Sequence, residues 1–502
     1  MKNIKLIIVS ILCLCFSQSC TDYLDVTPEN SVTFENFFNT DEELYTFVNS
    51  IRLDMKFHAF SPNQSKWYSR GILFDDASSL GLEEVGISPN SLLNYRVITH
   101  WEELYRIIAG GHVLLRHTDD ANITEERKDF YNGLGNFYVA YGYLKLSQLW
   151  GEAPLVKFDG DVGPKKKGTF EEVIDFCIEN AEKAVQLLPT INALKDGNGD
   201  SVQSRDLPSK EAALSVLTHA YAWKGSLEDK PEFYEKAIQS ATAIIDSPNV
   251  TLAASPEDVV TSVIKGGNTT ESIFEAALIP NETRFSNTYH TVDGFLAFPV
   301  GIEGEGDIKF NKFRINNSTV DAMYTNGDER KAAYFYDFEV QKAKDPSITG
   351  GYAYPYKFRE GQISEESFGL SFDYLVSDAV FYRLADIILL RAECYAKMGN
   401  DGAAIQDLNT IRARAGADLY TASEGNVQYM VFKEREKELL WENNRYLDVV
   451  RNGYWATELI DDSFSLLSQQ DVENGALFLF TPFKAFDNNP LMTQNIFWSG
   501  LL

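Results

Sequence analysis

FYRLADIILLRAECYAKMGNDGAAIQDLNTIRARAG, residues Phe381 to Gly416, reads as two helices joined by a short turn. In its first half Leu384, Ile387, Ile388, Ala392, Tyr395 and Ala396 fall at helical spacing, with Arg391 the one charge on that stripe. Gly399 stands where a left-handed residue stops a helix, and Asn400 or Asp401 can accept the free amide hydrogens of the next. Ala404, Leu408, Ile411 and Ala415 continue the pattern. The small side chains of Ala392 and Ala404 mark where two antiparallel helices approach closely, with Tyr395 filling the space beside them.

This is the tetratricopeptide (TPR) pattern. It recurs earlier in the chain with an insertion: Leu214, Leu217, Tyr221 and Gly225 match the first helix, and Ala237, Ala241 and Ile244 the second. Another helical unit runs from Glu125 to Trp150 and from Thr169 to Leu188, ended by Gly151 and Pro154 and by Pro189. Repeated hairpins stack into a right-handed solenoid with one continuous apolar face. The expected fold is mostly α: a TPR-like helical-hairpin solenoid carrying a long, irregular, aromatic-rich insertion.

The wording of these blocks closely resembles the SusD/RagB family of surface nutrient-binding lipoproteins of Bacteroidota. The resemblance rests on RLADIILLRAECYAKMGN, on AIQDLNTIRARAG and on KEREKELLWENNRYLDVVRNG from Lys433 to Gly453. It extends to Cys20-Thr-Asp-Tyr-Leu-Asp25, to LSQLWGEAPLV from Leu146 to Val156 and to NNPLMTQNIFW from Asn488 to Trp498, in the family's order. It implies one helical body, a binding function without catalysis or cofactor, a glycan ligand, and service as the lid of a SusC-like TonB-dependent transporter. A RagB-like peptide binder is the alternative within the binding class.

The N-terminus fits that setting. Lys2 and Lys5 precede an apolar run from Leu6 to Phe16, and Ser17, Gln18 and Ser19 lead to Cys20, so residues 1–19 read as a secretory signal too short to span a bilayer. A cysteine directly after such a segment is expected to be lipidated, which holds a protein on a membrane with no spanning helix, and the resemblance implies that this is the outer membrane at the cell surface. Ser17 stands where leucine is usual, and ordinary cleavage near Ser19 is the alternative.

The remaining chain divides at 20–248, a helical region with a loop excursion at 57–99; at 249–378, an irregular insertion; and at 379–502, the C-terminal hairpin, a charged helix and a tail. A first helix is expected from Phe34, Phe37, Phe38, Leu44, Phe47, Val48 and Ile51, capped by Thr40 or Asp41 and ending near Lys56. The insertion is rich in aromatics, among them Tyr324, Tyr334, Tyr336, Tyr352, Tyr354 and Tyr356, most of which are expected to pack it against the helices. Short β-like runs such as Ser272 to Leu278 are present, without an extended sheet.

With 502 residues and 44% apolar content the chain can bury a large core. The formal charge is −28, and −30 once Lys2 and Lys5 leave with the signal (43 basic against 73 acidic residues), which opposes nucleic acid and anionic headgroups. After Cys13, Cys15 and Cys20 are accounted for, Cys177 and Cys394 lie in helical patterns and read as buried thiols. The six histidines form no HExxH and no pair at a helical metal spacing, and GxSxG, Walker and dinucleotide motifs are absent. Asp196 to Asp200, DGNGD, fails the EF-hand template because Ser201 and Leu207 stand where Gly and Glu are needed, so it reads as a turn. No metal site is expected.

The candidate ligand site lies in the excursion. Trp67 and Tyr68 are adjacent and cannot both face one apolar interior, so one presents its face outward, the alternative being that Trp67 packs on the first helix. Sugar rings carry an apolar C–H face and a hydroxyl rim: an exposed indole or phenol, with Tyr95 nearby in sequence, covers the first, while Arg70, Asp75 and Asp76 hydrogen-bond the second. Asp75 and Asp76 are also the acid and base candidates for a surface glycoside hydrolase, the reading from another class. The resemblance brings Tyr289, Phe295 and Arg314 of the insertion into reach. Glu434, Arg435, Glu438, Glu442, Arg445, Asp448 and Arg451 form a dense charged block whose like charges repel unless Arg435, Arg445 and Arg451 sit among them, and it is read as an ion network fixing the fold.

Overall fold

The computed structural model describes residues 37–60, 100–266, 269–277, 315–325, 327–346, 350–359, 361–366, 369–375, 377–442, 444–459 and 463–500. Helix α1 is Asp41–Phe60. Thr40 caps it reciprocally: its hydroxyl accepts the Glu43 amide at 3.3 Å while Glu43 accepts the Thr40 amide at 3.0 Å. The helix runs past Lys56, so Phe57 to Phe60 are helical and not part of a loop. His58 and Ala59 in that extra turn are buried, and such packing overrides local sequence signals.

Helices α2 (Glu102–His117), α3 (Glu125–Leu149) and α4 (Phe170–Leu187) follow. Thr124 caps α3, and Thr169 opens α4 with a full capping box closed by Glu172. α3 is buried nearly all round from Phe130 to Leu149, which makes it the central rod of this half. Its approach to α2 depends on glycines. A Cβ on Gly142 would stand 2.4 Å from Ile108 Cγ1, and one on Gly135 would stand 2.8 Å from the Gly111 carbonyl oxygen. Between α3 and α4 the short strands β1 (Ala153–Pro154) and β2 (Lys167–Gly168) pair antiparallel.

The DGNGD segment forms a turn: Asp196 Oδ1 accepts the amides of Asn198 at 2.8 Å and Asp200 at 3.0 Å. Helices α5 (Lys210–Leu227) and α6 (Glu232–Ile245) come next, burying Leu214, Leu217, Tyr221, Ala237, Ala241 and Ile244 as their TPR spacing requires. The chain then leaves the stack. After a short helical stretch at 256–264, strand β3 (Ser272–Ala276) is followed among the described residues by β4 (Ile315–Asn316), the short helices α7 (Asn317–Met323), α8 (Arg330–Tyr334) and α9 (Phe338–Lys342), and strands β5 (Tyr352–Ala353), β6 (Gly361–Glu366) and β7 (Gly369–Leu375). Strand β8 (Ala379–Arg383) returns to pair antiparallel with β3, Ser272 opposite Arg383. Each described sheet has two strands.

Helices α10 (Leu384–Lys397) and α11 (Asp401–Arg414) then resume the stack, α10 lying against α6 and α5. Gly399 sits at φ +74°, and the Asn400 side chain accepts the Ala403 amide at 3.3 Å. Leu384, Ile387, Ile388 and Ala392 meet Ala404, Leu408 and Ile411 in one apolar core continuous with that of α1 to α6, with Arg391 clamping Asp407 across the hairpin through two 2.8 Å bonds. Helices α12 (Val427–Glu438) and α13 (Arg445–Asn452) close the C-terminal half. The tail reaches back to α3, where the Trp150 indole donates to the Phe480 carbonyl at 3.2 Å. Cys177 and Cys394 are buried free thiols.

A second, smaller core lies under the insertion, built from Val259, Val260, Ile315, Tyr324, Tyr334, Phe335 and Trp441. Tyr324 and Tyr334 bridge to the C-terminal half, donating to the carbonyls of Lys437 (2.9 Å) and Glu438 (3.3 Å). The described aromatics of the insertion thus serve packing first, as expected.

Candidate functional site

Trp67, Tyr68, Arg70, Asp75, Asp76, Tyr95, Tyr289, Phe295, Arg314 and the lipidation residue Cys20 all lie outside the described residues. What the described residues do present is the frame beside the root of the excursion, where α1 ends. A cavity of about 40 Å³ opens there, lined by His58 and Ala59 of α1, Tyr141, Lys145 and Gln148 of α3, His219 of α5, Phe381 and Tyr382 of β8, and Glu442 and Asn444 beyond α12.

The local sequence explains the assembly. Tyr141, Lys145 and Gln148 are four and three residues apart, so they share one face of α3. In β8 successive side chains alternate, placing half-buried Phe381 beside fully buried Tyr382. Phe381 packs into an aromatic wall, edge-on to Tyr141 at 5.5 Å and tilted against Phe274 at 5.3 Å between ring centroids.

The polar groups of this cavity fall into two sets. Glu442 is fully engaged: its oxygens accept Arg383 Nε at 2.7 Å, Arg383 Nη2 at 2.8 Å and Lys357 Nζ at 2.5 Å. The Asp386 carboxylate behind the wall is engaged too, by His219 Nε2 and by Arg435 Nη2, each at 2.7 Å. Burial alone would raise the Asp386 pKa, but the charges of His219 and Arg435 hold it far below the ordinary carboxylate range, so His219 Nε2 carries the proton and donates. The second set is unmatched. Among the described residues the hydroxyls of Tyr141 and Tyr382 and the Oε1 of Gln148 have no hydrogen-bond partner, although the three side chains are buried. Lys145 makes no ion pair with a described residue; its ammonium sits 5.8 Å from the Tyr141 ring centre and 5.9 Å from that of Tyr382, and burial pushes its pKa down to about 8.

A second concavity, of about 380 Å³, lies over α8 and α9 and is lined by Asp328, Lys331, Phe335, Phe338 and Glu339 among others. Most of its charges are already paired: Asp328 binds Arg330, and Lys331 bridges Asp321 and Glu339. Among the described residues no group of three or more His, Cys, Asp or Glu side chains is placed to hold a metal ion.

Sequence reasoning missed Lys145, Tyr141, Gln148 and Tyr382. A signal was available, because Lys145 is the single charged residue between Asp129 and Glu152, in the middle of the most buried helix. It also missed the partners of Glu434, Glu438 and Glu442, which are not Arg435, Arg445 or Arg451 but cations of other segments. Glu438 Oε1 accepts Arg383 Nη1 at 2.7 Å and is in contact with Arg414, and its Oε2 accepts Arg330 Nη1 at 3.3 Å. Arg435 bonds Asp448 at 2.8 Å, and Arg451 bonds Glu393 and Asp448. The block is an ion network, as expected, and it holds β8 and α10 rigidly behind the cavity wall.

A TPR-like solenoid with a long insertion, paired at its root and fixed by buried ions, defines a class of helical scaffold with no built catalytic centre among its described residues. Within that class, the SusD family profile matches residues 263–498, and a profile described as "Starch-binding associating with outer membrane" matches residues 22–222. The chain belongs to the SusD/RagB family. It is 22% identical over 496 residues to SusD-like protein P38 of Formosa agariphila, covering 90% of this chain and 92% of that one. Its fold matches a SusD homolog of Bacteroides thetaiotaomicron with a TM-score of 0.70 at 17% identity, covering 92% and 99% of the two chains. NanU of B. fragilis gives a TM-score of 0.65 at 16% identity over 94% of this chain and 99% of its own. No described helix is long and apolar enough to cross a membrane.

Proposed function

We propose that this protein is a cell-surface glycan-binding lipoprotein, anchored in the outer membrane through Cys20, which receives oligosaccharide and hands it to a SusC-like TonB-dependent transporter as that barrel's lid. The observation that carries the reading is the near full-length match to a family whose N-terminal profile is described as starch-binding and associated with the outer membrane. A rigid stack with an excursion and an insertion suits capture without chemistry, since binding residues concentrate on loops positioned by a scaffold. Trp67, Tyr68 and Tyr95, with Tyr289 and Phe295, supply ring faces, while Arg70, Asp75, Asp76 and Arg314 supply the hydroxyl-binding rim.

The test is a panel of immobilised and soluble glycans assayed for retention and for product. Retention without product is expected; product that disappears in Asp75→Asn or Asp76→Asn would make the protein a hydrolase, and retention of peptides alone would make it a RagB-like binder. Trp67→Ala should lose glycan retention while keeping its melting temperature. Cys20→Ala should leave membranes for the soluble fraction. Gentle detergent extraction of the tagged wild type should bring a barrel protein with it through an interface on the order of 2,000 Å² or more.

A further inference from the structure

We propose that the cavity formed by Lys145, Tyr141, Tyr382 and Gln148 is a carboxylate-receiving subsite, so that the preferred ligand is an acidic sugar with its carboxylate inserted against the Lys145 ammonium. The inference rests on the glycan-binding reading above for its choice of a sugar; the recognition of a carboxylate rests on the cavity itself.

The chemistry is set by what the cavity leaves unmatched. Two phenol hydroxyls and one ammonium are donors with no acceptor among the described residues, and Gln148 Oε1 is an acceptor with no donor. Tyr141, Tyr382 and Gln148 are 0%, 2% and 3% exposed, so each unmet bond is costly. The half-buried Lys145 ammonium has no ion-pair partner among the described residues, and Asp386 attracts it only from behind the wall. Both carboxylates closest to the cavity are committed elsewhere, Glu442 to Arg383 and Lys357 and Asp386 to His219 and Arg435. An incoming anion therefore meets a cation and two O–H donors, while Gln148 accepts from a neighbouring sugar hydroxyl.

Size narrows the class. At about 40 Å³ the cavity has several times the roughly 10 to 15 Å³ that one water needs, which suits a small planar carboxylate better than a bulkier tetrahedral sulfate or phosphate. The ring stays at the rim, where half-buried Phe381 and Asn444 offer an aromatic face and an amide. The acidic exterior repels an acidic chain only at range, because at physiological ionic strength it is screened over about 8 Å.

The matched probes are D-glucuronate and D-glucose, which differ only in a carboxylate for a hydroxymethyl group, with acetate and sulfate as further arms, titrated against the full-length mature protein by saturation-transfer NMR. Glucuronate should bind at least about tenfold more tightly than glucose, acetate should compete with it and sulfate should not. Lys145→Met, which keeps an apolar stem on α3, should bring glucuronate down to the glucose level, and Tyr382→Phe should lose a smaller part of the preference with an unchanged melting temperature. The pH profile provides a readout that mere packing would not move. His58, the His219–Asp386 pair, Glu442, Tyr141 and Tyr382 also face Lys145; burial holds both phenols protonated far above pH 8, and Asp386 and Glu442 sit below the ordinary carboxylate range. Glucuronate affinity should accordingly fall about tenfold per pH unit above pH 8 while glucose affinity does not.

Equal affinities for the two sugars, or a preference that survives Lys145→Met, overturns the proposal and leaves the cavity to water. A protein that takes up glucuronate and acetate through Lys145 but retains no glycan on the panel keeps the subsite and sinks the glycan reading. A protein that retains neutral glycans and ignores carboxylates does the reverse.

Discussion

The apolar stack and the ionic junction beside it are made by the same helices yet hold together by opposite means. α10 turns Ile387, Ile388 and Ala392 into the solenoid core, and from the same turns it sends Asp386 to Arg435 and Glu393 to Arg451. In the stack, contact is non-directional, so a residue needs the right size and spacing. At the junction, each buried charge needs specific partners at hydrogen-bond distance, because a missing one leaves a bare ion in a low dielectric. The stack therefore sets the shape of the molecule, and the junction sets which segments of the insertion and C-terminal half may meet.

Acid should separate the two most strongly. Burial would raise the pKa of Glu438, but Arg414, Arg383 and Arg330 hold it far below the ordinary range, and Glu393 is held down likewise by Arg451 and Lys397. Carboxylates with depressed values contribute stability that is complete above their unfolded pKa near 4 and lost as pH falls below it. Thermal melts should drop steeply below about pH 4.5. A melting temperature that does not move down to pH 3 would mean the ion network contributes nothing.

Next in size is Glu438→Ala. It strips one partner from each of Arg383, Arg330 and Arg414 at once, and should cost about 3–5 kcal/mol in urea unfolding. Gly142→Ala probes the stack instead. Its Cβ would press on Ile108, for an expected loss of about 1–3 kcal/mol, with the acid limb of the pH profile unchanged. The smallest effect belongs to the exposed pair Lys183–Glu179 on α4, where Lys183→Ala should move stability by less than about 0.5 kcal/mol. A larger change there would erase the contrast between buried and surface ions.

How much of this was legible follows the same division. The hairpins could be read because spacing alone decides which side of a helix is buried: Leu384, Ile388, Ala404 and Leu408 all lie where their period puts them. The charged block announced that it must be paired, since Glu434, Glu438 and Glu442 would otherwise repel along one helical face. Its partners could not be read, because Arg330, Lys357 and Arg383 lie some fifty to more than a hundred residues away and nothing local encodes that approach. The cavity was hidden for the same reason, being assembled from α1, α3, α5 and β8. The glycan residues named from the excursion and the insertion rest on residue chemistry and family resemblance alone.

The antiparallel pairing of β3 with β8 makes the long insertion an exchangeable cassette. Its two ends are stapled side by side on the stack, Ala276 opposite Ala379, so loops between them can change length provided Arg330, Lys357, Tyr324 and Tyr334 keep their contacts with the C-terminal half. Doubling such a loop costs only about 0.6 kcal/mol in closure entropy. Such loops can thus lengthen or shorten while every hairpin of the scaffold stays in register.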